Sequence, residues 1–284
     1  MITCFSSLLL TLTIFFVAPK ERTYVGSTPA HGMVRDFLGI SFTDSIDFIR
    51  WKLELKPGSF DLQCQYGLAQ AGTPGFVQEK KVAFAGQLSK KENQYYLQNK
   101  SKKLSLHEVN EDVLHFLDAH NQMLIGNGSY SYALNNQSPT KTDQFHIKPL
   151  PSTAKGPLVY EGRTPCQELA QLLGLNKSQA CNKMKWYLIF FTDAVTQKPT
   201  YYLKGGIGYR PETMERGKWQ IITGKQGRII YQLTPDNGAY SLCLLKGDDN
   251  ILFFIDNQGR LLVGNEDFSY TLNRRKQAYP PVYR

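Results

Sequence analysis

The stretch FLDAHNQMLIGN at residues 116–127 returns as FIDNQGRLLVGN at residues 254–265, 138 residues further along the chain. Each stretch leads into a Ser-Tyr-x-Leu-Asn segment, at residues 131–135 and 269–273. Nine of the twenty aligned positions from Phe116 to Asn135 are identical without a gap. Self-similarity at a fixed spacing is typical of a duplicated structural unit. The chain is therefore predicted to contain two copies of one domain.

The front edges of the two copies also match. YVGSTP at residues 24–29 corresponds to YEGRTP at residues 160–165, and Trp51 corresponds to Trp186. These matches set the predicted bounds of the two domains, at 22–136 and 158–275. The remaining segments are a predicted signal peptide at 1–20, a linker at 137–157 and a C-terminal tail at 276–284.

One short helix is predicted near the start of each copy, over residues 32–38 and 165–173, because apolar residues recur there three and four positions apart. Gly39 and Gly174 are the expected helix stops. The rest of each copy consists of short apolar and aromatic runs separated by Gly, Asn, Asp and Pro, which is typical of an antiparallel meander. Seven or eight such strands protect their edges best by closing into a barrel. We therefore expect an all-β protein.

Residues 2–18 are uncharged and largely apolar, and Pro19-Lys20 follows them. This pattern predicts a secretory signal peptide, with an uncleaved N-terminal anchor as the alternative. Membrane contact is expected only through this segment. The formal net charge is +9, but the basic residues are scattered rather than clustered on one stripe, which argues against a nucleic-acid partner.

Part of the second copy resembles the N-terminal domain of NlpE, a copper-resistance and envelope-stress lipoprotein of bacteria. The matching residues are Tyr160, Gly162, Pro165, Cys166, Gly217, Trp219, Leu252 and Asp256. The resemblance implies a small lipocalin-like barrel in the cell envelope (periplasm, outer envelope or extracellular) and, through the repeat, two such barrels in tandem. It also suggests copper, although the second cysteine of the family's Cys-x-x-Cys opening is Leu169 in this chain.

Comparison of the copies predicts a disulfide between Cys166 and Cys181. Their counterparts in the first copy are Ala30 and Ile46, so both cysteines are present in one copy and both are absent from the other. Such joint occurrence is what a bonded pair requires. Two unrelated thiols or a metal site including Cys166 remain the alternatives.

Three histidines, His107, His115 and His120, lie close together in sequence and form a candidate metal or ligand site. Two of them stand where the second copy has Leu245 and Phe253. Apolar counterparts favour packing positions over metal ligands.

Six residues that recur in both copies are interpreted as structural turn residues: Asp118, Gly126, Asn127, Asp256, Gly264 and Asn265. The pair Asp248-Asp249 is also interpreted as tight-turn chemistry, with a weak calcium site as the alternative.

The sequence contains no Gly-x-Ser-x-Gly, His-Glu-x-x-His or phosphate-binding glycine loop. We therefore expect a non-catalytic exported cell-envelope protein that serves in ligand binding or envelope-stress sensing. Its expected partner is a small ligand or another envelope protein, and no cofactor is expected. The alternative is a copper- or metal-responsive envelope protein.

Overall fold

The computed structural model describes residues 21–147, 157–175, 181–205 and 214–275. The predicted signal peptide, the C-terminal tail and the end of the linker lie outside these ranges.

The first barrel is a closed antiparallel meander of eight strands. Its elements are β1 Arg22–Thr28, α1 Gly32–Leu38, β2 Phe48–Lys56, β3 Ser59–Ala69, β4 Phe76–Lys91, β5 Gln94–Asn99, β6 Lys102–Asn110, β7 Val113–Leu117 and β8 Ala133–Asn136. Pairing of Tyr24 with Asn136 and of Val25 with Asn135 closes the barrel between β1 and β8.

The second barrel repeats this order and is also closed. Its elements are β9 Leu158–Pro165, α2 Gln167–Leu172, β10 Lys183–Thr192, β11 Pro199–Gly205, β12 Glu215–Thr223, a short 3-10 turn Lys225–Gly227, β13 Ile229–Pro235, β14 Leu242–Lys246, β15 Ile251–Ile255 and β16 Thr271–Arg274. The predicted fold class, two all-β barrels in tandem with one short helix near the start of each, is confirmed.

The shared Tyr-x-Gly-x-Thr-Pro entry has a packing role in both barrels. The buried indole N–H of Trp51 donates to the Thr28 hydroxyl, and that of Trp186 donates to the Thr164 hydroxyl, each at 2.9 Å. A buried indole N–H needs such a partner. In each copy the threonine hydroxyl therefore supplies the hydrogen-bond acceptor that the buried indole N–H needs.

The two helices are anchored differently. A left-handed glycine follows both helices, Gly39 with φ of 70° and Gly174 with φ of 63°, so the difference lies at their starts. The side chain of His31 accepts the Met33 N–H at the start of α1. Helix α2 has no side-chain cap, but the Cys166–Cys181 disulfide ties its start to the segment before β10, with a Cα–Cα distance of 5.8 Å. The predicted disulfide is confirmed. Helix α2 is shorter than the predicted 165–173 because β9 extends to Pro165.

The described part of the linker, residues 137–147, packs against both barrels. The backbone N–H groups of Thr140 and Lys141 donate to the Asp112 carboxylate of the first barrel. Phe145 is buried between the barrels and lies under the guanidinium of Arg228, 4.2 Å from the ring centre. This segment therefore belongs to the contact between the domains. No helix in the described ranges is long and apolar enough to cross a membrane.

Candidate ligand site between the barrels

Aromatic side chains fill the interiors of both barrels. In the first barrel Trp51 packs against Phe116 with ring centres 5.0 Å apart, and both are almost fully buried. In the second barrel Phe190 and Trp219 pack at 5.0 Å, and Trp219 and Tyr231 at 5.1 Å. Eight-stranded barrels of this kind are just wide enough to be filled by side chains. A cleft outside the barrel interiors is therefore the better candidate for a ligand site.

The two barrels meet along a seam in which residues contact their own repeat equivalents. The Ser131 and Ser269 hydroxyls are hydrogen-bonded at 2.5 Å. The rings of His115 and Phe253 are in edge contact at 6.0 Å, and those of Tyr130 and Phe268 are stacked at 6.0 Å. Every pair is separated by 138 residues. Contact between equivalent positions places them on a local two-fold axis, as in a symmetric dimer.

The two Gly-Asn turns singled out in the sequence, at residues 126–127 and 264–265, lie at this seam. Asn127 and Asn265 each accept two N–H groups of their own turn through the side-chain oxygen. The backbone N–H of Gly126 donates to Asn273 at 2.8 Å, and that of Gly264 donates to Asn135 at 2.9 Å. The two turns therefore hold the barrels together as well as reversing the chain.

Asp118 and Asp256 have matching local roles. Asp118 accepts the backbone N–H groups of His120 and Gln122, and Asp256 accepts those of Gln258 and Arg260. Asp256 also forms an ion pair with Arg260 at 2.7 Å.

A cleft of ≈ 710 Å³ opens beside the seam. Three parts of the chain form it: the first barrel, the linker and the β14–β15 turn of the second barrel. Its lining residues are Glu92, Asn93, Gln94, His107, Leu117, Asn121, Gln122, Met123, His146, Ile147, Gly247, Asp248, Asp249 and Asn250. Clefts of several hundred Å³ at domain interfaces are common sites for small molecules.

The apolar part of the cleft consists of Leu117, Met123 and Ile147. Met123 and Ile147 pack on the hydrophobic cluster that joins the barrels, and a Cβ on Gly247 would stand 3.3 Å from the Met123 sulfur. Part of the hydrophobic contact between the barrels therefore forms the floor of the cleft.

The polar part of the cleft is acidic. Asp248 accepts the backbone N–H groups of Asn250 and Ile251 through one carboxylate oxygen, at 2.7 and 2.9 Å. Burial raises the pKa of this carboxyl group. Asp249 forms an ion pair with the buried Lys246 at 2.8 Å. Among the described residues that line the cleft, none is Lys or Arg.

Two histidines line the cleft on the side of the first barrel. Burial lowers the pKa of His107, which favours the neutral imidazole. The His146 ring lies 3.9 Å from the Glu108 carboxylate. Glu108 is itself buried and forms ion pairs with Lys90 at 2.5 Å and with Arg22 at 3.6 Å. His146 is therefore held at the edge of a buried charge cluster.

The candidate metal residues do not come together around one point. His107 and His115 are cross-strand neighbours, but His115 is fully buried at the seam, where its Nδ1 lies 3.0 Å from the Phe116 carbonyl oxygen. His120 is exposed in a turn, and Cys166 is bonded to Cys181 in the other barrel. The described residues contain no group of three or more His, Cys, Asp or Glu side chains arranged to hold a metal.

Sequence reasoning missed the cleft, and with it His146 and Met123. One pattern could have indicated the seam. Strands β7 and β15, VLHFL and ILFFI, are buried at every position. A strand buried on both faces has a continuous apolar run instead of alternation. These runs predict that the outer face of each strand is covered by another part of the protein.

No family model, curated protein or solved structure matches the chain.

Proposed function

We propose that this chain is a non-catalytic exported cell-envelope protein that binds a small ligand in the cleft between its two barrels. The cleft is the observation that carries the proposal. It combines an apolar floor with convergent polar groups and draws them from both domains and the linker. The filled barrel interiors support a site at the seam over one inside a barrel.

The disulfide supports the exported location, since such bonds persist in oxidising compartments. The residues that resemble the start of the NlpE domain support a location in the cell envelope. Cell fractionation of the native host tests this part: we expect the protein outside the cytoplasm with Cys166 and Cys181 oxidised. Recovery in the cytoplasm with both thiols free would contradict it.

Ligand binding can be tested by a thermal-shift screen of small molecules, repeated on two variants. Gln122 is an exposed residue that lines the cleft, so Gln122→Trp is expected to obstruct it and abolish the shifts. His120 is exposed in the same turn but does not line the cleft, so His120→Trp is the matched control and is expected to keep them. Hits that shift all three proteins equally would place the ligand elsewhere.

A screen with ester, phosphate and glycoside substrates tests the non-catalytic part of the proposal. We expect no turnover above background. Turnover that is lost in Gln122→Trp would show that the cleft is an active site.

A further inference from the structure

We propose that the cleft between the barrels selects an organic cation with an apolar stem, such as an alkylammonium, and that the carboxylate of Asp248 receives its charge. This inference rests on the proposed function, since it names the ligand class of the same site.

The charge of the lining distinguishes the cleft from the rest of the molecule. The chain carries 33 Lys and Arg residues against 24 Asp and Glu, yet the described lining contains no Lys or Arg. Its charged and basic side chains are the carboxylates of Glu92, Asp248 and Asp249 and the imidazoles of His107 and His146. An anionic ligand would find no Lys or Arg to pair with among the described lining residues. A cation would be attracted into the cleft of a protein that is otherwise basic.

The three carboxylates are not equivalent. Asp249 is compensated by Lys246 at 2.8 Å, and Glu92 lies in the exposed turn between β4 and β5. Asp248 is partly buried, and only one of its oxygens has hydrogen-bond partners among the described residues, namely the two N–H groups of its turn. Its second oxygen is the best-placed acceptor for an ammonium group, because a partly desolvated carboxylate gains most from a charge-assisted hydrogen bond.

The floor of the cleft fits the rest of such a ligand. Leu117, Met123 and Ile147 provide an apolar surface next to the Asp248 turn, and methionine adapts to stems of different shape. Neutral amide side chains, of Asn93, Gln94, Asn121, Gln122 and Asn250, complete the rim. A small inorganic cation would leave the apolar floor uncovered, and a purely apolar molecule would leave the carboxylate without a partner.

The repeat itself supplies the variant that tests this assignment. Asn110 is the equivalent of Asp248 in the first copy, and its side-chain oxygen accepts the N–H groups of Asp112 and Val113, both at 2.9 Å. Asn therefore stabilises the same turn. Asp248→Asn is expected to fold normally and to remove only the negative charge.

The experiment is isothermal titration calorimetry of the full chain with octylammonium, octanoate and octanol at low and moderate salt. We expect octylammonium to bind most tightly, octanoate not to bind, and added salt to weaken the interaction. Asp248→Asn should weaken octylammonium binding at least about tenfold. Asp236→Asn, which removes an exposed carboxylate outside the cleft, should leave it unchanged.

Two outcomes would overturn the inference and leave the proposed function standing. One is octanoate or octanol binding as tightly as octylammonium, with loss of binding in Gln122→Trp. The other is octylammonium binding that needs the open cleft but is unaffected by Asp248→Asn. If no probe binds and no library compound gives a shift that Gln122→Trp abolishes, both proposals fail.

Discussion

The two barrels share one topology but differ in what stabilises equivalent places. The first barrel anchors the start of its helix with the side chain of His31, whereas the second uses the Cys166–Cys181 disulfide. A left-handed glycine, Gly39 or Gly174, follows the helix in both. On the outer face, His115 and Glu108 of the first barrel correspond to Phe253 and Lys246 of the second.

The residues that the copies share mostly satisfy backbone groups or buried donors, such as the turn side chains of Asp118 and Asp256. The residues that differ change the charge, the covalent bonding and the contacts at the seam. The difference shows that one barrel fold leaves its helix anchor and its outer surface free to change. Four predictions test how far the barrels really differ.

The largest effect is expected from the disulfide. It closes a loop with a sequence separation of 15, and a bridge of this length contributes about 3 kcal/mol to the free energy of unfolding. Reduction with dithiothreitol, or the double substitution Cys166→Ala with Cys181→Ala, should lower the thermal midpoint accordingly. Dithiothreitol added to the double variant is the control and should have no effect. A reduced wild type as stable as the oxidised protein would show that α2 needs no covalent anchor.

His115 should make the seam sensitive to acid. Burial lowers the pKa of His115 to about 4, whereas an unfolded histidine has a pKa of about 6.5. Between these two values the unfolded state binds more protons than the folded state. The free energy of unfolding is therefore highest above pH 6.5 and falls by about 3 kcal/mol at most as the pH drops towards 4.

His115→Phe copies the second barrel and should remove this part of the pH dependence. The Phe116 carbonyl also accepts the Leu124 N–H, so the substitution leaves no unpaired acceptor. The measurement is urea unfolding of both proteins between pH 4 and 7.5. Parallel stability curves for wild type and variant would contradict the prediction.

Gly126 and Gly264 should respond alike to substitution, because they are equivalent across the seam. A Cβ on Gly126 would stand 2.2 Å from the Tyr130 carbonyl oxygen, and one on Gly264 would stand 2.3 Å from that of Phe268. Each Gly→Ala substitution should cost about 1 to 3 kcal/mol of unfolding free energy in chemical denaturation. Gly75→Ala is the control, since its nearest contacts are flexible side chains at 3.4 Å. A loss confined to one of the two seam variants would show that the turns are not equivalent.

The smallest effect is expected at the helix starts. His31→Ala removes the side-chain acceptor of the Met33 N–H and should cost about 0.5 kcal/mol, the low end for a helix cap. Gln167 is the equivalent of His31 in the repeat, but it is the first residue of α2, after Cys166 at the cap position, and α2 has no side-chain cap. Because Gln167 is exposed, Gln167→Ala should be neutral. Equal losses in thermal unfolding would mean that the two helices do not differ in this respect.

The repeat is sufficient to predict the barrels, the helix positions and the disulfide, because each depends on spacing within one copy or on comparing the copies. It does not decide between seven and eight strands, and it makes α2 too long because nothing local marks the end of β9 at Pro165. The cleft could not be predicted, since Asp248 meets His107 and His146 only after one domain packs on the other. Their proximity depends on the orientation of two folded units, which no spacing in the sequence encodes.

The seam has a consequence for behaviour on dilution. Two separate chains joined by such a two-fold interface would come apart as their concentration fell. In this chain twenty-one residues join β8 to β9, so each barrel meets the other at an effective concentration of about millimolar or above. The barrels should stay paired, and the cleft formed, however few molecules are present. A tethered pair of this kind keeps its cleft intact at dilutions at which a dimer of free subunits would dissociate.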